Sequence, residues 1–407
     1  MTKTYKTKGV IRAVAWVFVA LAGVFALVLA ASLLVYPSEY VFRVLAWGDS
    51  DSFDWQKFPE HRLDSAPTAF RFDEAPDDRV AGLFSKLAGV DDWDAFLEEN
   101  HTQAFIVIRD KTILYEKYFN DTDRDSIVTS FSVAKSFTSA LIGIAVDEGL
   151  INSIDDPITD YLPELAQRDP RFGGITIRHL LLMSSGMEYK AFRFPGLNSD
   201  DPLTTYYPDQ RQLSLQKTRI IDPPGVYFQY NKYHPQLLGM ILERTTGGSV
   251  TEYLQKKIWD PLGMEFSGSW SIDSERSGFE KMETGVNARA VDFAKFGQLF
   301  LNEGAWEGRQ VISKEWVAVS TRPYLPSGYA AYYPGWFSKL PGLGYYKYMW
   351  WGIAREEGGY DFSAEGDKGQ YIYISPSRSL VIVRNGIDYG ISFNEWFELF
   401  YEFAGRF

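Results

Sequence analysis

The chain has 407 residues, 45 % hydrophobic and 23 % charged, the proportions of a globular protein that buries a substantial core. Its formal net charge of -12, with no long basic block beyond the N-terminal region, argues against a nucleic-acid partner. Cysteine is absent, which excludes disulfides, thiolate metal sites and cysteine nucleophiles; the four histidines (His61, His101, His179 and His234) lack any metal-ligand spacing, so no metal or organic cofactor is expected.

Residues 13–36 (AVAWVFVALAGVFALVLAASLLVY) carry no charge. As a helix this stretch runs roughly 36 Å at about 1.5 Å per residue, enough to cross a bilayer core of about 30 Å. Lys3, Lys6, Lys8 and Arg12 precede it, and Glu39, Asp49 and Asp51 follow. The positive-inside rule then puts residues 1–12 in the cytoplasm and the bulk of the chain on the extracytoplasmic side of the cell (inner) membrane. The rival reading is a cleaved signal peptide ending near Ala30-Ala31-Ser32. The apolar run exceeds the usual signal core, which favours a retained single-pass anchor with the lipid bilayer as its partner. A buried core helix is the third reading.

Residues 37–74, rich in aromatics and proline, read as a juxtamembrane connector, and residues 75–407 as the folded domain. Helical spacing follows over 79–101. Residues 104–108 (AFIVI) and 112–118 (TILYEKY) are strand-like runs around Arg109-Asp110-Lys111, a hairpin signature. Residues 129–146 (TSFSVAKSFTSALIGIAV) form a helix with small and apolar residues nearly all round, hence buried. Helical segments dominate from 175 to 263, with further helices over 287–303 and 394–403. Residues 369–374 (GQYIYI) and 380–383 (LVIV) are the last strands. Strands at both ends with helices between predict an α+β fold: an antiparallel sheet flanked by helices, with an all-helical insertion over about 166–284.

The sharpest chemical signal is Ser132-Val-Ala-Lys135. Residues three apart on a helix share a face, so the lysine amine reaches the serine hydroxyl. Serine needs a neighbouring base, and burial lowers the pKa of a lysine enough for it to serve. At the start of the helix, backbone N–H groups and the dipole favour developing negative charge. The bare pattern is weak, since Ser214-Leu-Gln-Lys217 matches too, but without a preceding hairpin or a following buried helix. The bland reading of Ser132 is a small packing residue with Lys135 reaching the surface.

Residues 132–165 (SVAKSFTSALIGIAVDEGLINSIDDPITDYLPEL) resemble the active-site helix of the penicillin-recognising serine hydrolases, which include class C β-lactamases, DD-peptidases, related esterases and 6-aminohexanoate-dimer hydrolase. Residues 175–186 (ITIRHLLLMSSG), Pro224-Gly225 with 228–232 (FQYNK), 285–297 (GVNARAVDFAKFG) and 366–374 (GDKGQYIYI) resemble further family segments in the right order, so the resemblance spans about 75–405. It implies the β-lactamase/transpeptidase-like fold and a serine hydrolase that cleaves a small-molecule amide or ester through an acyl-enzyme. Tyr230-Asn231-Lys232 stands where the family has Y-x-N, which makes Tyr230 the second proton-handling residue. A literal Y-x-N at Tyr118-Phe-Asn120 precedes the nucleophile and is discounted.

Two departures matter. Lys232 replaces the third-position asparagine, and Ala364-Glu-Gly-Asp367 stands where the family has KTG. Gly366 would let substrate lie along the strand. The N–H groups of Asp367 and Ser132 form the candidate oxyanion hole, with Lys232 a candidate contact to an anionic or carbonyl group. The missing lysine argues against β-lactams as natural substrates. The rivals are a β-lactamase or DD-peptidase acting on cell-wall-like substrates, and a tethered binding or sensor protein without turnover. His179, Asp155 and Asp156 read as structural, and Asn287 as the cap of a helix beginning near Ala288. Tyr345, Tyr346, Tyr348, Trp350 and Trp351 read equally as cleft lining or as packing.

Overall fold

A computed structural model describes residues 3–191, 199–324 and 343–407. The chain opens with α1 (Lys3–Val35) and α2 (Ser38–Trp47), followed by strands β1 (Glu60–Leu63) and β2 (Asp73–Glu74). Helices α3 (Asp78–Ala88) and α4 (Trp93–Glu99) lead into the hairpin β3 (Thr102–Arg109) and β4 (Thr112–Tyr118), then β5 (Val128–Thr129) and α5 (Ala134–Asp147). The middle is helical: α6 (Ile158–Tyr161), α7 (Pro163–Arg168), α8 (Ile177–Leu181), α9 (Asp200–Tyr206), α10 (Gln210–Lys217), α11 (Tyr233–Thr246) and α12 (Val250–Leu254). There follow β6 (Gly268–Ser271), β7 (Val286–Ala288), α13 (Ala290–Leu301), the small pair β8 (Ala305–Trp306) and β9 (Arg309–Gln310), and α14 (Lys314–Thr321). The chain closes with β10 (Leu343–Lys347), β11 (Trp350–Ala354), β12 (Tyr360–Gly366), β13 (Gln370–Ser375), β14 (Leu380–Gly386) and α15 (Phe393–Arg406).

The α+β expectation holds. The main sheet has eight strands in the order β10-β11-β12-β13-β14-β3-β4-β2, so both chain ends build it. Its one parallel pairing is the two-residue β2 against β4. Strands β3, β13 and β14 are buried over nearly their whole length, the pattern of strands covered on both faces. On one face α15 lays down a stripe at helical spacing, with Trp396, Phe397, Phe400 and Phe403 buried and the Phe400 ring 5.7 Å from Tyr373. On the other face α13 sits close because Gly297 has no side chain: a Cβ there would come within 2.6 Å of Ile372. A four-stranded sheet, β1-β6-β7-β5, completes this part.

The chain forms two compact units, residues Met1–Ser50 with Lys190–Pro208, and Asp51–Tyr189 with Asp209–Phe407. In the first, residues Ala13–Val35 of α1 have a mean hydropathy of 2.7 and are 6 % buried, a helix long and apolar enough to cross a membrane. Within that unit Arg43 donates to the Tyr206 carbonyl at 3.1 Å, and the Tyr206 hydroxyl donates to the Gly48 carbonyl at 3.0 Å.

Three local expectations are corrected. The helical run over 79–101 is two helices, because Gly89 takes the left-handed conformation and ends α3. Residues 129–133 do not join the long helix: Phe131–Val133 form a tighter 3-10 turn and α5 starts at Ala134. Asn287 is no cap. It lies in β7 and donates its amide to Ser269 and Ser271 at 3.1 and 3.0 Å, so α13 starts later, at Ala290.

Candidate active site

The chain leaves β5 with the Ser130 N–H fixed to the Val286 carbonyl at 2.8 Å. Phe131 then takes φ +44°, an unfavourable backbone for a bulky residue and the kind of strain that collects where a side chain must be presented. The next residue, Ser132, stays half-exposed, while Lys135, one turn on, is 1 % exposed. Lys135 Nζ lies 2.7 Å from Ser132 Oγ, a hydrogen bond whose proton either atom can carry. It also donates to the Glu283 carbonyl at 2.7 Å. That carbonyl belongs to a braced turn. Trp270 Nε1 donates to the Lys281 and Thr284 carbonyls at 3.1 Å each, and the buried Lys281 and Glu283 side chains pair at 3.1 Å.

Helix α5 carries Lys135 in its first turn, just after the 3-10 turn that holds Ser132, and mixes small and apolar side chains. Residues 134–145 are all buried. Ser136 donates to the Met349 carbonyl at 2.7 Å, docking the β10–β11 turn on the helix. That hairpin supplies the aromatic wall. Trp351 stacks on Tyr230 (centroids 5.9 Å, 26°) and Tyr346 meets it edge-on at 6.1 Å. Tyr230 itself sits on the loop before α11, with its ring centroid 5.0 Å from Lys135 Nζ. Its neighbour Asn231 pins the loop: the buried amide donates to the Met187 carbonyl at 3.3 Å and accepts from the Tyr233 N–H at 2.9 Å.

The third wall is the end of β12. Gly366 faces the Ser130–Phe131 turn so closely that a Cβ there would lie 2.3 Å from the Ser130 carbonyl oxygen. Asp367 follows at the exposed start of the next turn, and its carboxylate holds the Tyr389 phenol in a hydrogen bond. Burial, more than that negative charge, keeps the Tyr389 phenol protonated well above its ordinary range. On the strand's opposite face Glu365 is 4 % exposed; burial raises its pKa far above that of an ordinary carboxyl, and Ser363 offsets this only in part. It therefore sits as a neutral acid beneath the strand.

The structure thus brings Ser132, Lys135 and Tyr230 together and sets Gly366 against the turn that carries the serine. Lys232 lies half-buried at the residue before α11. The second pattern match dissolves: Ser214 is buried and donates to Gln236 at 2.6 Å, while Lys217 is exposed. Asn120 is a turn residue at φ +54° whose amide donates to the Thr102 carbonyl at 2.8 Å. His179 completes a capping box with Thr176 at the start of α8, and Asp155 pairs with Arg178 at 2.6 Å. Sequence reasoning missed the Glu283 carbonyl, because a main-chain acceptor has no residue signature. It also left Tyr345, Tyr346, Tyr348, Trp350 and Trp351 undecided; all five are buried and pack, with Tyr346 and Trp351 backing Tyr230.

A protein-family model described as Beta-lactamase matches residues 94–385. The 6-aminohexanoate-dimer hydrolase of Paenarthrobacter ureafaciens is 27 % identical over 372 residues, covering 83 % of this chain and 88 % of that one. Esterase EstB of Burkholderia gladioli is 28 % identical over 229 residues, 52 % of this chain and 56 % of its own. Among solved structures, a putative 6-aminohexanoate-dimer hydrolase from Bacillus anthracis superposes with a TM-score of 0.72 at 26 % identity, covering 85 % of this chain and 89 % of that one.

Proposed function

The chain belongs to the β-lactamase family, and on that premise we propose that it is a serine hydrolase, held to a membrane by α1, that opens an amide or ester bond through an acyl-enzyme on Ser132. The single observation that carries this reading is the 2.7 Å contact between a half-exposed serine hydroxyl and an almost wholly buried lysine amine. Burying an amine to 1 % exposure is costly, and here the buried amine is set directly against a hydroxyl that the chain leaves within reach of solvent.

The chemistry then runs in two halves. Ser132 Oγ attacks the substrate carbonyl as its proton passes to Lys135, and the C=O π pair becomes the oxyanion. The N–H groups of Ser132 and Asp367 face that oxygen. Collapse expels the amine or alcohol, which takes a proton relayed through Tyr230, and leaves an ester on Ser132. Water attacks that ester with its proton going to the same base pair. The acid leaves and Oγ regains its hydrogen. A small substrate would reach the site past the partly exposed Tyr230, whose ring is backed by the buried Tyr346 and Trp351 and suits an apolar or amide-bearing chain.

Ala364 occupies the place of the lysine that grips a β-lactam carboxylate, so simple esters and short linear amides fit this site better than penicillins. The test is a fluorophosphonate probe on detergent-solubilised full-length protein, with the modified residue located by mass spectrometry. Labelling should fall on Ser132 and vanish in Ser132→Ala. Labelling on Ser214, or none on a folded protein, overturns the mechanism, and the second outcome favours a non-catalytic sensor. A panel of nitrophenyl esters, short amides and a chromogenic cephalosporin follows; rapid cephalosporin turnover would favour a β-lactamase instead.

A further inference from the structure

The first compact unit holds a feature that hydrolysis does not use. Helix α2 begins two residues after α1 ends and is two-faced. One face is buried: Tyr40, Val41 and Arg43 are 0–3 % exposed. They sit with the returning segment 199–208, where Arg43 reaches the Tyr206 carbonyl and the Tyr40 and Tyr207 rings lie 5.9 Å apart. The opposite face leaves Phe42 and Leu45, three residues apart and so on one side of the helix, 61 % and 50 % exposed. The charge nearest that face, Glu39, is neutralised by Arg43 in an i,i+4 ion pair.

Around this helix stand rings of the type that gathers at membrane–water boundaries. Tyr36 and Tyr40 are 5.2 Å apart and Trp47 and Tyr206 are 5.9 Å apart, with the Arg43 guanidinium 5.3 Å over Trp47. Leu34 and Val35, the last residues of α1, are 89 % and 69 % exposed. The apolar surface of the spanning helix therefore continues into that of α2.

We propose that α2 and residues 199–207 form an interfacial collar, in which the Phe42–Leu45 face is buried at the headgroup–acyl boundary of the bilayer that α1 crosses. The occupant is lipid, because a helix starting two residues beyond a membrane span is within reach of lipid before any other partner. The chain passes between this unit and the hydrolase three times, at 50/51, 189/190 and 208/209, so the hydrolase is tied to the collar by three chain passages. This inference rests on the anchor reading above and adds to it.

The absence of cysteine makes the test direct, since single-cysteine variants need no background changes. Val24→Cys, Phe42→Cys, Leu45→Cys and Ile221→Cys, each in the full chain, are spin-labelled and reconstituted in phosphatidylcholine–phosphatidylglycerol vesicles. Relative accessibility to oxygen and to an aqueous nickel chelate then gives depth, and probe labelling of Ser132 checks folding. Position 24 should read deep, positions 42 and 45 shallow but within lipid, with an oxygen-to-nickel ratio several-fold above that of the exposed Ile221. If position 24 is in lipid while 42 and 45 match 221, the collar is refuted and the anchor stands. If position 24 is also aqueous, the anchor itself fails. Dipolar broadening at position 42 that dilution with unlabelled protein removes would assign the face to a second copy and refute the lipid assignment.

Discussion

Replacing Gly366 by alanine tests the geometry of the site at the point where two distant parts of the chain touch. The new methyl would lie 2.3 Å from the Ser130 carbonyl oxygen, 3.0 Å from Phe131 Cβ and 3.1 Å from Gln370 Cβ. Ordinary contact requires the strand and the turn to part by about 1 Å. Ser130 cannot retreat: it is 1 % exposed and its N–H is held by Val286. The strand end therefore moves away from Ser132, taking the Asp367 N–H with it. Overpacking of this kind costs about 1–3 kcal/mol of stability, which a domain of typical stability survives folded. A shift of about 1 Å between nucleophile and oxyanion donors costs about 100-fold in kcat/KM, or about 2.7 kcal/mol. The assay is kcat/KM for a nitrophenyl ester, normalised to sites titrated with fluorophosphonate, beside thermal unfolding. Gly82→Ala is the control, since a methyl there meets nothing within 4 Å in an exposed turn of α3; it should leave turnover unchanged and raise stability by up to about 1 kcal/mol. A Gly366→Ala enzyme with undiminished kcat/KM would refute the placement of the oxyanion donor at Asp367, just beyond β12.

Tyr230→Phe should keep the stack on Trp351 and lower kcat by about 10²–10⁴ while KM changes little, measured on an amide whose leaving group needs a proton. His234 is buried beside the Ser185 hydroxyl at 2.7 Å, and burial pulls its pKa down to about 3, with His179 adding to the effect. The folded protein thus refuses a proton that the unfolded chain accepts below about pH 6.5. Stability is intact above that pH and falls by about 1.4 kcal/mol per unit on acidification toward pH 3. His234→Gln should flatten the decline seen between pH 6.5 and 5 in denaturant titrations. Glu365 has the opposite sign. Its raised pKa means the folded state keeps a proton that the unfolded chain loses above the ordinary glutamic range. Its contribution is whole below that range and drains away as pH rises, so the melting temperature of Glu365→Gln relative to the wild type should be lowest near pH 4 and rise toward pH 8.

Much of the fold was legible because it is local. The hairpin β3–β4 announced itself by two strand-like runs around Arg109-Asp110-Lys111, and the C-terminal helix expected over 394–403 is α15. Boundaries slipped where tertiary demands outweighed propensity. Residues 129–133 have helical composition, yet Phe131 is forced to positive φ so that Ser132 emerges beside β12. Asn287 has the chemistry of a cap but serves the small sheet instead, where Ser269 and Ser271 are in reach.

The Ser132–Lys135 contact was written in the sequence, since the rise of a helical turn brings side chains three apart together whatever surrounds them. The choice between that pair and Ser214–Lys217 was legible too, from the preceding hairpin and the buried helix that follows; the structure adds that Ser214 donates to Gln236 while Lys217 is exposed. No residue type encodes the Glu283 carbonyl that receives Lys135, the stack of Trp351 on Tyr230, or the close approach of Gly366 to Ser130. Each joins segments distant in sequence through backbone atoms or ring faces. Such contacts exist only once the sheets and the helices have packed together.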